Sequence, residues 1–327
     1  MPDCRLAATG HYLPPVVLDN RALIDRFGLD VDEAWIESRT GIRERHWMAP
    51  DQTTSDMAAE AGRAVLESAG VEPDALDRIV LATISPDRVS PATAVEVAAK
   101  LGARCPAYDV SAACAGFVYA LDAARGAIAC GEERVLVLAA DARSRFVDTR
   151  DRRGAVLFAD GAAGALVVPG DGPGRIVSVQ LGAEGGGGLG AWIPAGGAAR
   201  PATHETVEAG EHFVHVDAFR PVFERFKRLT REGVAGALRR AGVALGDVDV
   251  FITHQGNAFL VDEIVADLGV DPTRAVNDVY RHGNTSGASI AIALSEARES
   301  GRAGAGARVL LTSAGAGWAF GAAVLEY

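Results

Sequence analysis

Nearly uninterrupted runs of apolar residues recur along the chain, and each follows a segment with helical spacing. Four such runs cover residues 78–82, 134–138, 250–253 and 308–311. A strand that is buried on both faces produces a continuous apolar run, and strands of that kind belong to parallel sheets. The pattern therefore predicts helix-turn-strand units that build an α/β protein.

The two halves of the chain repeat the same order of elements at an offset of about 172 residues. Residues 69–71, before the first apolar run, match residues 241–243, before the third, and the second and fourth runs pair in the same way. Self-similarity at a fixed offset indicates a duplicated architecture. We predict halves of 1–170 and 175–327, joined by the short Pro- and Gly-rich segment 169–174.

Composition narrows the class of fold and the range of functions. Among 327 residues there are 38 glycines and only 6% aromatic residues, which favours helices packed closely on sheets over an aromatic-rich β fold. A formal charge of −11 gives no long-range attraction for nucleic acid or for an anionic membrane. Since no apolar stretch approaches the roughly 20 residues of a membrane span and no signal core is present, we expect a cytoplasmic protein.

The cysteines and histidines do not show the spacing of a metal site. Four cysteines, at positions 4, 105, 114 and 130, lack CxxC pairing and nearby histidines, which argues against a structural zinc or a disulfide framework. His204, His212 and His215 also lack compact spacing, so no metal site is predicted. We interpret Cys4, Cys105 and Cys130 as small packing residues.

Cys114 has a different setting from the other cysteines. It follows the strand-like segment 107–110 and precedes a helical pattern over 115–130, so it lies at or near a helix N-terminus. Free N–H groups and the helix dipole at such a position stabilise a thiolate, so we expect a lowered pKa and a nucleophilic sulfur. Taken alone, a buried packing cysteine is the commoner interpretation.

Two further polar residues favour a catalytic role for Cys114 over a packing role. His254 follows the apolar run 250–253, at the end of a strand where α/β sheets place their sites. Asn284 lies in a turn, 283–286, that leads into a helical pattern. Either residue alone could be a helix cap or a satisfied polar group. A thiol, an imidazole and a carboxamide together suit covalent acyl chemistry.

The chain resembles the 3-oxoacyl-[acyl-carrier-protein] synthase III family, of the thiolase fold, across nearly its whole length. The resemblance is carried by the stretches around Cys114, His254 and Asn284, by the segment 35–46 and by the Gly-rich segment 314–318. It implies a layered αβαβα architecture and a homodimer. Other branches of the fold carry a second His or Cys in place of the asparagine, so Asn284 selects this branch.

The resemblance also implies a mechanism, which the residue types permit. Cys114 accepts an acyl group from acyl-CoA, while the backbone N–H groups of Cys114 and Ala316 hold the oxyanion. His254 and Asn284 polarise the carbonyl of a malonyl thioester, for example on an acyl carrier protein, which loses carbon dioxide and attacks the acyl group. Neither a metal nor a redox cofactor is expected.

Several residues are assigned to coenzyme A by the same resemblance. Trp35 would stack on adenine, Arg39 would contact phosphate, and Arg153 would flank adenine, with Arg152 as the alternative. Asn257 would help position the pantetheine arm and a site water. A packing role for Trp35 and a solvated Arg39 remain the competing interpretation.

The chain departs from the family pattern around the substrate channel. Ser90 replaces a common aromatic residue of the acyl pocket, which predicts a longer or bulkier acyl group, and Phe219 stands where a glycine is usual near the pantetheine tunnel. Ala316 replaces the middle glycine of the terminal loop, where a positive φ would be strained. These departures favour a specialised enzyme that primes a polyketide or secondary-metabolite pathway.

The surface that would bind a carrier protein also departs from the pattern. Phe259, Ala266, Asp267 and Glu224 occupy positions where better-known relatives carry basic residues. Compensating positive charge is predicted on one helix, with a solvated helix surface as the alternative; its basic residues are Arg220, Arg225, Lys227, Arg228 and Arg231.

Two other functions are compatible with the sequence. The acyl group on Cys114 could pass to an alcohol or amine, with His254 as general base. The chain could also be a non-catalytic partner subunit, which the presence of all three chemical residues argues against.

Overall fold

The computed structural model describes residues 2–186, 190–217 and 219–327, and for Phe219 the backbone only. The strands are β1 Cys4–Tyr12, β2 Val16–Asp19, β3 Glu44–Trp47, β4 Arg78–Ala82, β5 Ala107–Val110, β6 Val135–Ala142, β7 Asp160–Pro169, β8 Arg175–Ala183, β9 Ala191–Trp192, β10 His215–Val216, β11 Val250–Thr253, β12 Arg308–Gly315 and β13 Ala319–Glu326. The helices are α1 Asn20–Phe27, α2 Glu33–Thr40, α3 Thr54–Ala69, α4 Thr93–Leu101, α5 Gly116–Ala129, α6 Arg152–Ala155, α7 His204–Glu208, α8 Phe219–Ala241, α9 Ala258–Leu268, α10 Val279–His282 and α11 Ser289–Glu299.

Within the described ranges, nine strands form one mixed sheet in the order β11-β12-β13-β8-β1-β7-β6-β4-β5. The first four come from residues 175–327 and the other five from residues 1–170, and the two blocks meet in the sheet where Arg5 of β1 pairs with Arg175 of β8. The apolar runs are confirmed as parallel strands, since β4 pairs parallel with β6 and β11 with β12. All eight residues of β6 and all four of β11 are buried.

Five layers stack through the molecule. α3 and α4 cover the outer face of the N-terminal block, and α8 covers the outer face of the C-terminal block, with α9 against it. α5 and α11 lie between the blocks and contact strands of both. Fully buried apolar side chains from these central helices, among them Val118, Leu121, Ile290 and Leu294, fill that layer. The predicted αβαβα thiolase-like architecture is confirmed.

Three pairs of matching strands in the two blocks begin 171 to 173 residues apart, namely β1 and β8, β4 and β11, and β6 and β12. The same relation holds for two short 3-10 turns, Ala113–Ala115 before α5 and Ser286–Ala288 before α11. Both turns begin with a non-glycine residue at positive φ, 47° at Ala113 and 56° at Ser286. Strained backbone of this kind is typical of functional sites, and here it lies at the centre of the molecule.

The helix that carries Trp35 and Arg39 is fixed by its own ends. The Asp32 side chain accepts a hydrogen bond from the Trp35 N–H at 2.6 Å at the start of α2. The helix ends at Gly41 in the left-handed region. None of the helices in the described part of the chain combines the length and apolarity needed to cross a membrane.

Candidate active site

Cys114 lies in the 3-10 turn between β5 and α5, two residues before the helix begins. The predicted placement near a helix N-terminus is confirmed. β12 holds this turn, because the Ser313 hydroxyl donates to the Cys114 carbonyl at 2.7 Å. A β-carbon on Gly315 would lie 2.8 Å from the Cys114 nitrogen, so only glycine lets the end of β12 approach this closely.

The expectation of a lowered thiol pKa is wrong for this structure. The residue keeps some contact with solvent, but its sulfur is enclosed by protein atoms, and burial raises the pKa of the Cys114 thiol to about 11. The Asp141 carboxylate adds to the rise, while the charge of Arg143 and the Ser286 hydroxyl, 4.0 Å from the sulfur, oppose it. Enclosure and a nearby anion disfavour the thiolate more than a helix N-terminus favours it.

His254 follows β11 directly and is 3% exposed. Its ring stacks on Phe226 with centroids 6.0 Å apart, and its Nδ1 lies 2.8 Å from the Ser289 hydroxyl at the start of α11. Burial lowers the pKa of His254 to about 4, so the imidazole is neutral near pH 7.

The hydrogen bonds around Ser289 assign the tautomer of that neutral ring. The Ser289 oxygen accepts from the Gln255 N–H at 3.3 Å, and Nδ1 of His254 is the one acceptor among the described residues for the Ser289 hydrogen, so we assign that hydrogen to Nδ1. Because Nδ1 accepts a hydrogen bond, the ring proton resides on Nε2. His254 therefore presents a neutral N–H donor to the side of the ring away from Ser289.

Asn284 is held at the junction of the two blocks. Its N–H donates to the Leu157 carbonyl at 3.0 Å, and its carbonyl accepts from the Ala159 N–H at 2.9 Å. The side-chain Oδ1 accepts from the Ser286 N–H at 2.9 Å. With Oδ1 engaged in this way, the orientation of the amide leaves the Nδ2 hydrogens as donors.

Gly256 shows that these two donors converge. A β-carbon built on Gly256 would lie 2.6 Å from Nε2 of His254 and 3.3 Å from Nδ2 of Asn284, so the two nitrogens are less than about 6 Å apart. Any side chain at position 256 would occupy the space in front of both. Sequence analysis did not identify this glycine as part of the site, although it lies between His254 and Asn257.

One cavity of about 80 Å³ brings the predicted triad together. Cys114, His254, Asn284 and Ala316 all line it, among mainly apolar side chains such as Phe158, Phe223 and Phe226.

Ala316 lies in the turn between β12 and β13. Among the described non-glycine residues only Ala113 and Ser286 have positive φ, so Ala316 avoids the predicted strain, and Gly317 adopts φ 127° instead.

A second cavity, of about 340 Å³, adjoins the first and shares Leu157, Phe223 and Asn257 with it. Trp35, Arg39, Arg152 and Arg153 line this outer cavity. The alternative residue, Arg152, has its guanidinium carbon 5.1 Å from the centre of the Trp35 ring. Arg153, which sequence analysis preferred, instead pairs with Asp151 at 2.8 Å.

Asn257 links these two cavities. Its Oδ1 caps α9 by accepting from the Phe259 N–H at 2.9 Å, and its Nδ2 donates to the Arg39 carbonyl at 2.9 Å. The amide therefore has partners within the protein, and contact with pantetheine stays a prediction.

Of the two other residues assigned to the substrate, Ser90 has a described side chain and Phe219 does not. The side chain of Phe219 lies outside the described residues. Ser90 is exposed on the loop 83–92, and within the described ranges it lines neither the triad cavity nor the two beside it. A single chain therefore does not place Ser90 at its own acyl pocket.

The basic residues of α8 do not form a free positive surface. Arg225 and Arg228 both pair with Glu184, and Arg231 pairs with Asp267 at 2.7 Å. Lys227 pairs with Glu224 at 2.8 Å and with Glu263 at 3.1 Å. Neighbouring carboxylates therefore offset four of the five predicted charges, and compensation for the missing basic residues stays a prediction.

A third cavity, a cleft of about 500 Å³, meets the triad cavity at Ala191 and Ala316. The residues just before the cysteine, Ala112 and Ala113, line it, as do Trp192 and Trp318. Arg143 also lines this cleft, and sequence analysis did not identify it. The feature that could have identified Arg143 is its charge at a position directly after β6, a strand whose residues are all buried.

The geometry agrees with comparisons against known proteins. A relative from Symbiobacterium thermophilum, named beta-ketoacyl-[acyl-carrier-protein] synthase III, is 40% identical over 324 residues, which cover 98% of this chain and 97% of the relative. This chain belongs to the 3-oxoacyl-[acyl-carrier-protein] synthase III family. The family's C-terminal profile matches residues 238–327, its other profile matches 108–185, and the thiolase N-terminal profile matches 36–140.

Solved structures support the same family assignment. The 3-oxoacyl-[acyl-carrier-protein] synthase III of Aquifex aeolicus superposes with a TM-score of 0.89 at 34% identity, covering 99% of this chain and all of that one. The priming β-ketosynthase of the R1128 polyketide biosynthetic pathway superposes with a TM-score of 0.88, also at 34% identity, covering 99% of this chain and 96% of that one.

Proposed function

We propose that the protein is a synthase III-type condensing enzyme that joins an acyl group on Cys114 to a malonyl thioester, with loss of carbon dioxide. The observation that carries this proposal is that Cys114, His254 and Asn284 line one cavity, in which Nε2 of His254 and Nδ2 of Asn284 lie near each other. Membership of the family supplies the reaction class, and the cavity supplies the residues.

In the first half-reaction, the Cys114 sulfur attacks the thioester carbon of acyl-CoA. The carbonyl oxygen becomes an oxyanion, which the N–H groups of Cys114 and Ala316 stabilise. Collapse of this intermediate breaks the bond to the coenzyme A sulfur, and the thiol proton of Cys114 leaves with that sulfur. The charge of Arg143, which lowers the thiol pKa against the effect of burial, favours this step.

In the second half-reaction, the malonyl thioester loses carbon dioxide. The electron pair of the broken carbon–carbon bond then forms an enolate. The enolate oxygen is placed where Nε2–H of His254 and Nδ2–H of Asn284 converge. The resulting carbon nucleophile attacks the acyl group, and Cys114 leaves as a thiolate that regains a proton. Each such donor typically contributes ~100-fold or more in rate. Since thioesters and decarboxylation drive both steps, we propose that no metal or redox cofactor is used.

For coenzyme A, we propose that Trp35 and Arg152 hold the adenine ring and that Arg39, exposed at the same cavity, contacts phosphate. The outer cavity leads through Asn257 to the triad cavity, which suits a pantetheine arm that must reach Cys114. An acyl carrier protein is the proposed source of the malonyl unit, because carrier-bound pantetheine presents the same arm.

We also propose a homodimer. β5 is the edge strand of the sheet, and an edge with unpaired backbone groups is a site for pairing with another copy. The nearby loop 83–92 exposes Ser90 and Val89, the latter 91% exposed. In a dimer built on this edge, Ser90 would lie beside the partner chain, which would account for its position away from its own acyl cleft.

The competing acyl transfer to an alcohol or amine has weaker support. A general base at His254 would need an unprotonated Nε2 facing the acceptor, whereas the Ser289 hydrogen bond directs the ring proton to that nitrogen. A priming role in a polyketide pathway is a further candidate, because this chain is as similar to a priming ketosynthase of such a pathway as to the Aquifex aeolicus synthase III.

The test is incubation of the protein with acyl-CoA and malonyl-acyl carrier protein, followed by mass spectrometry. We expect an acyl adduct on Cys114, release of carbon dioxide and a 3-oxoacyl product longer by two carbons. A product without the two-carbon extension would support simple acyl transfer. Absence of both adduct and product would overturn the proposal, and Cys114→Ala is the control.

A further inference from the structure

Arg143 is a buried cation that lines the cleft beyond Cys114. It follows β6 directly, is 4% exposed, and its guanidinium carbon lies 5.0 Å from the centre of the Phe158 ring. Phe158 in turn lines the triad cavity. The contact with the ring face holds the guanidinium beside the site, but a ring face accepts none of its N–H groups in a conventional hydrogen bond.

Across the described residues, no carboxylate lies within 4.0 Å of the Arg143 side-chain nitrogens, no protein group accepts a hydrogen bond from them, and Nε is buried without a partner. The two nearest carboxylates, on Asp141 and Asp160, are already occupied by other donors. Those donors are Thr83, Ile84, Ser85 and Gly287 for Asp141, and Met48 and Ser144 for Asp160. A buried charge is normally paired, so Arg143 is available to a partner that the described part of the chain does not supply.

The position of the cleft defines what that partner is. The cleft begins at Ala112 and Ala113, beside the sulfur that receives the acyl group, and lies on the other side of the triad cavity from Trp35 and Arg39. An acyl group on Cys114 therefore extends from the sulfur toward Arg143, while the coenzyme A portion occupies the outer cavity. The other side chains of the walls are small, aromatic or, at Ile84 and Ile193, aliphatic, with Ser111 as another polar side chain.

We infer that the acyl group accepted by Cys114 carries a carboxylate, so that the donor is the mono-thioester of a dicarboxylic acid and Arg143 binds its free carboxylate. A guanidinium fork matches a carboxylate with two parallel hydrogen bonds, and burial strengthens such a pair. This inference rests on the proposed function, because it concerns the acyl group that the cysteine would receive.

The test compares four-carbon coenzyme A esters of equal length. Loading of Cys114 is followed by intact mass with succinyl-CoA, butyryl-CoA and 3-hydroxybutyryl-CoA. We expect succinyl-CoA to load fastest, by about 10-fold or more over butyryl-CoA, and Arg143→Leu to reverse that ratio. Arg145→Leu, two residues along the chain and outside the cleft, is the matched control and should keep the wild-type ratio.

Two results would overturn the inference. One is faster loading of butyryl-CoA or 3-hydroxybutyryl-CoA by the unaltered protein. The other is an equal loss with all three esters in Arg143→Leu, since that would mean that Arg143 acts only on the cysteine. The melting temperature of Arg143→Leu serves as the folding control, and removal of an unpaired buried charge should not lower it.

A binding measurement separates this inference from the proposed function. Cys114→Ala cannot be acylated, so calorimetry with succinyl-CoA and butyryl-CoA compares their affinities for the cleft directly. We expect tighter binding of succinyl-CoA, lost when Arg143→Leu is added. If no ester loads the unaltered protein, the proposed function fails, but this comparison still decides whether the cleft prefers a carboxylate.

Discussion

The hydroxyl of Ser289 lies 2.8 Å from Nδ1 of His254 and connects the start of α11 to the end of β11. The same oxygen accepts from the backbone of Gln255, which leaves its hydrogen for the imidazole. Ser289 is thus a positioning residue, because it directs the ring proton to the nitrogen that faces the cavity. In metal sites, groups that orient a ligating histidine through its other ring nitrogen contribute roughly 10- to 100-fold to affinity or activity, and we expect an effect of similar size here.

The first prediction follows from that contact. Ser289→Ala removes the hydrogen bond to Nδ1, so the proton no longer has a preferred nitrogen and the Nε2–H donor is populated less. We expect decarboxylative condensation to fall about 10-fold. Acyl loading of Cys114, measured by intact mass, should change much less, and Ser289→Thr should restore part of the rate. Equal losses in loading and condensation would instead indicate a general structural role.

The second prediction concerns the space in front of the two donors. In Gly256→Ala, the added methyl group lies 2.6 Å from Nε2 of His254, where the enolate oxygen would bind. We expect condensation to fall by about 100-fold or more, because contact with the donors is blocked. Gly246→Ala is the matched control, since a β-carbon there meets no atom within 4 Å. Retention of condensation by Gly256→Ala would show that the donors act elsewhere.

A third prediction tests the raised pKa of the nucleophile. Because the thiol of Cys114 has a pKa of about 11, the thiolate fraction is small at neutral pH and increases with pH. Alkylation of this residue by iodoacetamide should therefore accelerate continuously from pH 7 to pH 10, without a plateau. Peptide mass spectrometry follows position 114, and Cys114→Ala gives the background from the other cysteines. A plateau beginning below pH 8 would show that the thiolate is stabilised.

The fourth prediction concerns His254. Its pKa of about 4 in the folded protein lies below the unfolded value of about 6.5, so the unfolded chain binds the proton more strongly. This residue's contribution to stability is full above pH 6.5 and declines as the pH falls toward 4, by roughly 3 kcal/mol in total. Urea unfolding of His254→Gln should show a weaker loss of stability over that range than the unaltered protein. Identical pH profiles for the two proteins would contradict the lowered pKa.

The fifth prediction separates two neighbouring arginines. Arg152 lies over the Trp35 ring, whereas Arg153 is paired with Asp151. Arg152→Ala should raise the KM for acyl-CoA by about 10-fold with a smaller effect on kcat, because binding of adenine contributes equally to ground and transition states. Arg153→Ala is the matched comparison and should have the weaker effect. A larger effect at Arg153 would restore the original assignment.

The fold class and the chemical groups of the site could both be predicted from the order of residues. Continuous apolar runs report burial on both faces of a strand, and they were sufficient to predict β4, β6, β11 and β12. The repeat offset of about 172 residues agreed with the 171 to 173 found between matching elements. Cys114, His254 and Asn284 were identifiable because each stands at the boundary of an element, where packing explains a polar or reactive residue poorly.

The pKa values, ion pairs and free space around those groups depend on the tertiary structure. The thiol pKa depends on enclosure and on Asp141, and neither can be read from the helix that follows Cys114. The pairing of α8 with Glu184 and Asp267, the role of Gly256 and the burial of Arg143 likewise arise from residues distant in the chain. The sequence pattern within an element indicates which of its faces is buried. Charge, proton position and free space depend instead on the residues that the fold places opposite that element.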